Sequence, residues 1–450
     1  MVKRRAGLLV LLMVFLLLWP ACSAKEKSVE EYLEEGRKHL ESGDLSKAIT
    51  ALREALKRDS ELAEAHRLLG EALGRSERWP EAVTQFEVYK TLADQDAAAY
   101  ALLGQAHVQT GDLEKAAATF AQGMQVDPSF LSNYQEEIAE AADSILQAGK
   151  QALDDKDLAT ATDLLALVAP LVPGQGEVYF LLGQAHLQTG DTVQALVSIA
   201  EAIRLSPELA AEHADEINPL AQTGLEMGQT ALDAGDLDTA AQVMSAVTIL
   251  LPDEAKAHFL LGNIYNQVNQ LDQAMEHYQT VLRLDPDSSS AHTNIGVVHY
   301  KKGELEAAIQ EFDMALELEP DDAETHYLLG AAYVQMSMTP LGEGQAELLA
   351  QGHAEFETAL TLDEQLAPAY IGLGNIYLLQ EEFELAQSVL EEAVALSPNS
   401  PEAYFALGQV HYSLNDIAAA RSAWEHVLAL NPDPAWQEQT ERMLESLGSP

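Results

Sequence analysis

Eleven glycines mark the chain like a ruler: Gly36, Gly70, Gly104, Gly149, Gly183, Gly228, Gly262, Gly296, Gly330, Gly374 and Gly408. Seven of the ten steps are 34 residues, and the other three are 44 or 45. The words around them recur, as in Tyr100-Ala-Leu-Leu-Gly-Gln-Ala-His107 and Tyr179-Phe-Leu-Leu-Gly-Gln-Ala-His186. Glycine inside a helix costs about 1 kcal/mol against alanine, so eleven of them demand compensation. Close crossing of two antiparallel helices supplies it: a missing Cβ lets the alanine twelve residues later approach. Gly-Asp pairs such as Gly43-Asp44 and Gly111-Asp112 end the first helix and cap the second. Asp-Pro or Ser-Pro ends the second, because the residue before proline avoids α geometry. A lone hairpin of this kind cannot bury its face, so neighbours must stack.

The period and its fixed positions resemble the tetratricopeptide repeat family. That family has a small residue at position 8, Ala at 20, a large apolar residue at 24 and Pro at 32. Here Ala48, Ala82, Ala116, Ala195, Ala274 and Ala420 meet position 20. Phe86, Phe120, Tyr278, Phe312, Phe356 and Trp424 meet position 24, and Pro128, Pro207, Pro286 and Pro398 meet position 32. The resemblance implies an all-α fold: a right-handed α-solenoid of about eleven helix-turn-helix hairpins with a C-terminal capping helix. The array is expected over 29–434, with repeats near 29–62, 63–96, 97–130, 142–175, 176–209, 221–254, 255–288, 289–322, 323–366, 367–400 and 401–434. The cap and tail follow at 435–450, where Trp436, Met443, Leu444 and Leu447 form an apolar helix face.

The period breaks in an ordered way. Residues 97–175 and 176–254 align end to end, as an internal duplication of a two-repeat unit. Each copy carries eleven extra residues, 131–141 and 210–220. The first addition has no proline, which predicts a first helix longer by about three turns. Pro219 marks a kink or a start in the second. The third break, 336–345, holds Pro340, Gly342 and Gly344 and reads as a long loop before an extended helix. It is either a tolerated insertion or a lip over a ligand.

The N-terminus reads as an address. Lys3, Arg4 and Arg5 precede the apolar run Ala6–Trp19, too short to span a bilayer comfortably. Pro20-Ala21-Cys22-Ser23 follows, and Cys22 is the only cysteine. This resembles a bacterial lipoprotein signal, although Trp19 stands where the lipobox usually has Leu. The resemblance implies cleavage after residue 21, lipidation of Cys22, a tether over 22–28, and export to the cell envelope. The site would be the outer membrane or the periplasmic face in a cell with two membranes.

Charge excludes some partners. The chain holds 25 Lys and Arg against 72 Asp and Glu, a net −47. Nucleic acid needs clustered cations, so it is not an expected partner. A bilayer is expected to be met only through the anchor. The balance shifts along the chain, from 12 basic against 17 acidic residues over 22–96 to 10 against 55 beyond. That gradient predicts an array that begins near an anionic surface and is repelled from it farther out.

No catalytic motif stands out. There is no His-Glu-x-x-His, phosphate loop or nucleophile elbow, so no enzyme activity, cofactor, metal or small-molecule substrate is expected. Nine of the 13 histidines fall on two packing positions of the first helix: His66, His258, His292 and His326 at position 4, and His39, His107, His186, His299 and His411 at position 11. Tyrosine takes the same slots elsewhere, so these are packing residues with a polar edge.

In the family that the repeats resemble, first helices line a concave groove through positions 2, 5, 9, 12 and 13. Here those positions read as a groove without many charges. Position 5 gives Phe180, Phe259, Tyr327, Ile371 and Phe405; position 9 gives Gln105, Gln184, Asn263, Asn375 and Gln409. Amides carry a donor and an acceptor for a peptide backbone, and aromatics beside them make pockets. Asn263 and Asn294 match amides of the clamp that holds chaperone tails, but Phe259 and Glu324 stand where its lysines would be. The expected function is a non-enzymatic scaffold holding peptide or helical segments of other proteins. A dedicated subunit of an envelope secretion, pilus or polysaccharide-export machine is the alternative, and an enzyme with an unrecognised site a lesser one.

Overall fold

The computed structural model describes residues 27–339, 344–430 and 432–447. The signal, Cys22 and residues 340–343 of the third insertion lie outside these. Among the described residues there is no strand. The chain forms two compact units, divided after His213.

In the first unit, helices pair in sequence order. The hairpins are α1 (Val29–Glu41) with α2 (Leu45–Arg58), α3 (Ala63–Arg75) with α4 (Trp79–Leu92), and α5 (Ala97–Thr110) with α6 (Leu113–Val126). After the short α7 (Phe130–Asn133) come α8 (Gln135–Asp154) with α9 (Leu158–Val168), and α10 (Gly176–Thr189) with α11 (Thr192–Leu205). The short α12 (Leu209–Glu212) closes the unit.

The second unit pairs α13 (Ala214–Asp233) with α14 (Leu237–Leu250), α15 (Ala255–Gln267) with α16 (Leu271–Leu284), and α17 (Ser289–Lys302) with α18 (Leu305–Leu318). Then come α19 (Ala323–Ser337) with α20 (Gln345–Leu362), α21 (Ala367–Leu379) with α22 (Phe383–Leu396), and α23 (Pro401–Ser413) with α24 (Ile417–Ala429). Last is α25 (Pro434–Ser446), against α24. Within each unit, hairpins stack on their sequence neighbours and bury the shared apolar faces.

The ruler glycines do create close crossings, but the residue they admit is not the alanine. In every repeat the space of a glycine Cβ is taken by the large side chain at position 24. Phe312 Cε1 lies 2.5 Å from where a Gly296 Cβ would be, and Trp424 Nε1 lies 2.3 Å from that of Gly408. The position-20 alanines are buried nearby, Ala308 and Ala420 both at 0% exposure. Position 24 wins because its long side chain points back across the hairpin, whereas an alanine methyl cannot reach.

Seven residues beyond the ruler glycine most first helices end in a left-handed residue. Gly303 adopts φ 78° there, while Glu381 takes φ 61° without glycine's freedom. Repeat nine breaks the rule. Its equivalent residue is Ser337, still helical, and the chain runs on into the insertion.

The first added segment does not form one long helix. Phe130 of α7 is fully buried and fills the space beside Gly123, with Tyr134 at 5.0 Å between ring centroids. The chain breaks at Tyr134 (φ −124°, ψ 36°), so α8 gains about two turns, not three. In the second copy Pro219 lies inside α13 as its sixth residue, so it removes one i to i−4 hydrogen bond from the second turn without ending the helix. After the third insertion α20 is extended to 18 residues. At the C-terminus α25 lays Trp436, Met443 and Leu444 on a cluster of Phe405, Trp424 and Val427. Among the described residues no helix is long and apolar enough to cross a membrane.

Candidate functional site

The first helices of the second unit line two adjoining, largely apolar hollows. A cavity of about 520 Å³ lies between α17, α19, α21 and the start of α23. Tyr300, Tyr327, Val334, Met338, Phe356 and Ile371 supply its apolar wall. Gln335, Asn375, Ser397, Ser400 and Glu402 supply polar groups. A second cavity of about 410 Å³ adjoins it, sharing Met338 and Asn375 and adding Leu378, Leu379, Gln409, Tyr412 and Met443. Met338 is 58% exposed at the rim of both. Such volumes suit side chains or a short peptide segment.

The lining is uncharged but for Glu402, whose carboxylate accepts from Ser400 Oγ at 2.9 Å. Burial pushes the Tyr300 and Tyr327 phenols above their usual range. Tyr300 and the carboxylates of Glu402 and Glu324 add to this for Tyr327. Both rings therefore stay protonated near neutral pH and can donate.

Four of the sequence-expected groove residues, Tyr327, Ile371, Asn375 and Gln409, meet on this surface. The others do not join them. Phe180 and Phe405 are each 4% exposed. The Phe180 ring sits 4.0 Å from His213, just past α12, and Phe405 packs edge-on to Trp436 of α25 at 5.2 Å. Segments outside the repeat pattern cover both, so they are packing residues and not pockets. Asn263 accepts from Tyr278 Oη at 2.8 Å and from Asn294 Nδ2 at 3.3 Å. Both amides are thus engaged inside the protein, and Phe259 packs on the same Tyr278. Gln105 lines a separate cavity of about 400 Å³ with Trp79, Phe86 and Leu102 in the first unit. Gln184 is half-buried on α10.

The few charges of the first-helix face are concentrated in the first two repeats. On α1 and α3, positions 2, 5, 9 and 13 form an ionic ladder. Arg37 Nη2 donates to Glu64 Oε1 at 2.5 Å, and Arg67 Nη1 donates to Glu71 Oε1 at 2.5 Å. Arg75 lines the same cleft. The repeat register alone puts Arg37, Glu64, Arg67, Glu71 and Arg75 on this face, at positions 2, 5, 9 and 13 of the first two repeats. Met338 was missed because it belongs to the insertion and has no repeat counterpart.

Position-4 histidines pack as expected. His66, His258 and His326 each turn Nε2 to the carbonyl six residues back, at 3.1, 3.2 and 3.0 Å. Tyr100 Oη donates to the Asp94 carbonyl in the same way at 2.9 Å. Nδ1 reaches the second helix: Gln85 for His66, His277 for His258, Glu311 for His292 and Glu355 for His326. Among the described residues no group of three or more His, Cys, Asp or Glu could hold a metal ion.

Family models agree with this geometry. A TPR repeat model matches residues 262–303, 299–337 and 374–415. Tetratricopeptide repeat models match 33–97, 97–130, 176–209 and 401–434. The chain is a tetratricopeptide repeat protein. Among curated proteins none matches it.

Solved structures share the repeat fold at low identity. The Cut9–Hcn1 structure of an APC/C hetero-tetramer is 16% identical, with 94% of this chain and 90% of that chain covered, at a TM-score of 0.46. Pseudomonas aeruginosa PilF is 17% identical over 50% of this chain and 99% of that one, at 0.42. YrrB, a TPR protein with an unusual peptide-binding site, is 19% identical over 45% and 100%, at 0.33.

Proposed function

We propose that this repeat protein is a non-enzymatic scaffold that is exported, lipid-anchored through Cys22, and holds segments of other proteins on the first-helix face of its second unit. The observation that carries the binding reading is the pair of adjoining cavities around Met338 and Asn375. They combine exposed apolar side chains with amides that can pair with a peptide backbone.

Crosslinking in intact cells with mass spectrometry of the attached proteins tests the binding. Met338→Asp with Tyr412→Ser should abolish the specific adducts without changing helicity, because both side chains are exposed. Undiminished adducts from the double variant would refute the assignment of this face. The anchor is supported by the sequence over 3–22 alone. Cys22→Ser should move the protein from the membrane to the soluble fraction, and retention on membranes would refute lipid anchoring.

A further inference from the structure

The charge around the second unit's cavities narrows the partner. From residue 303 to residue 420 the sequence contains no Lys and no Arg, against 22 Asp and Glu. The larger cavity draws most of its lining from this stretch. The two cations just before it are already engaged. Lys301 Nζ donates to Asn266 Oδ1 at 2.7 Å, and Lys302 Nζ pairs with Asp272 at 2.6 Å. Most of the acidic residues lie on second helices and turns. On the first helices α19, α21 and α23 only Glu324 and Glu402 occur. Glu402 lines the cavity and Glu324 lies one turn before Tyr327 on α19; both are exposed, and among the described residues neither forms an ion pair. An apolar hollow is thus flanked by two carboxylates.

We propose that this cavity seats the apolar side chains of a cationic amphipathic segment of a partner protein, with Lys or Arg of that segment meeting Glu324 and Glu402. The proposal rests on the scaffold reading above and adds the chemistry of what is held. Apolar burial would supply most of the affinity. The carboxylates would select sign and register, and the surrounding acidity would speed encounter. An acidic or purely polar segment would meet repulsion in the first case and an unfilled hollow in the second.

The test is a fluorescence anisotropy titration of the full mature protein with three synthetic peptides. One combines leucines with lysines on an amphipathic helix pattern. A second has glutamate for each lysine, and a third has serine for each leucine. The Leu/Lys peptide should bind and the other two should bind at least about tenfold more weakly. Glu324→Gln with Glu402→Gln should weaken the Leu/Lys peptide by about tenfold, the scale of two exposed ion pairs. Glu391→Gln with Glu392→Gln, on the exposed face of α22, should leave it unchanged, which separates a site from diffuse attraction to an acidic chain. Equal binding of the glutamate peptide, equal binding of the serine peptide, or equal losses from the two glutamate pairs would overturn the proposal. If Met338→Asp with Tyr412→Ser still abolishes peptide binding while the charge variants do nothing, the scaffold reading stands and only the cationic partner falls. If neither set matters, both fall.

Discussion

Alanine at a ruler glycine should change stability with opposite signs in different repeats. At Gly296 an added Cβ would stand 2.5 Å from Phe312 Cε1 and 2.7 Å from Cδ1. Carbon atoms rest about 3.5–4.0 Å apart, so the ring would have to retreat by about 1 Å. Phe312 is fully buried and its ring is rigid, and overpacking of this kind costs roughly 1–3 kcal/mol. Helix propensity returns about 1 kcal/mol, leaving a net loss of about 1 kcal/mol. At Gly149 the nearest atoms are Leu165 Cδ2 and Cγ, both at 3.1 Å. A shift of a few tenths of an ångström in a flexible side chain suffices, so the propensity gain should win by about 0.5 kcal/mol. Urea titration followed by helical circular dichroism reads both. Repeat arrays need not unfold in one step, so amide exchange in α17 and α8 should accompany the midpoints. Adding Phe312→Leu to Gly296→Ala should give a smaller loss than the two separate losses together, since each relieves the other. Shifts of one sign at both glycines, or simple additivity at the second pair, would refute the steric account.

Three further outcomes follow from local geometry. Glu381→Gly should raise the melting temperature, because a left-handed residue with a side chain is strained by about 1–2 kcal/mol and glycine's larger unfolded-state entropy offsets only part of that; a lower melting temperature would contradict this. Burial holds the His258 and His277 imidazoles below their ordinary value of 6.5. Their contribution is therefore complete above about pH 6.5 and declines as pH falls through the lower folded values. His277→Gln copies the His66–Gln85 pair and should flatten the loss of urea midpoint between pH 7 and pH 5; an unchanged pH slope would count against it. Trp436→Ala should uncover Phe405 and cost about 2 kcal/mol locally, seen as faster amide exchange in α25 and α23, and unaltered exchange there would show that α25 is not a working cap.

The fold was legible because its determinant is periodic. A glycine every 34 residues, a large residue sixteen further on in most repeats and a turn between them state the hairpin again and again. The partner of the glycine was less legible, since spacing gives which residues come near but not how far a side chain reaches. The site was legible where it follows the repeat, as at Tyr327, Asn375 and Gln409. It was hidden where aperiodic pieces decide exposure. Phe180 and Phe405 look like Tyr327 in register, yet His213 covers one and Trp436 the other. Nothing in a repeat alignment anticipates Met338, whose exposure comes from the chain leaving α19 for an insertion.

The two first-helix faces also differ in what a partner would have to displace. On α1 and α3, Arg37 and Arg67 are already bonded to Glu64 and Glu71. A charged partner there must break pairs before making its own, and the exchange of one exposed ion pair for another gains little. Around Tyr327 and Met338 no ion pair among the described residues needs to be broken. Apolar surface is exposed, Asn375 and Gln409 are half-buried, and among the described residues Glu324 and Glu402 have no ion-pair partner. Association there releases water from apolar groups and adds attraction that the isolated chain lacks. The asymmetry predicts different salt responses: partner capture through the second unit should survive moderate salt in part, because its apolar component is not screened, whereas any contact made by the α1–α3 ladder should vanish. Complete loss of the Met338-dependent adducts at 0.5 M salt, an added concentration of about three times physiological ionic strength, would show that apolar burial is not what holds the partner.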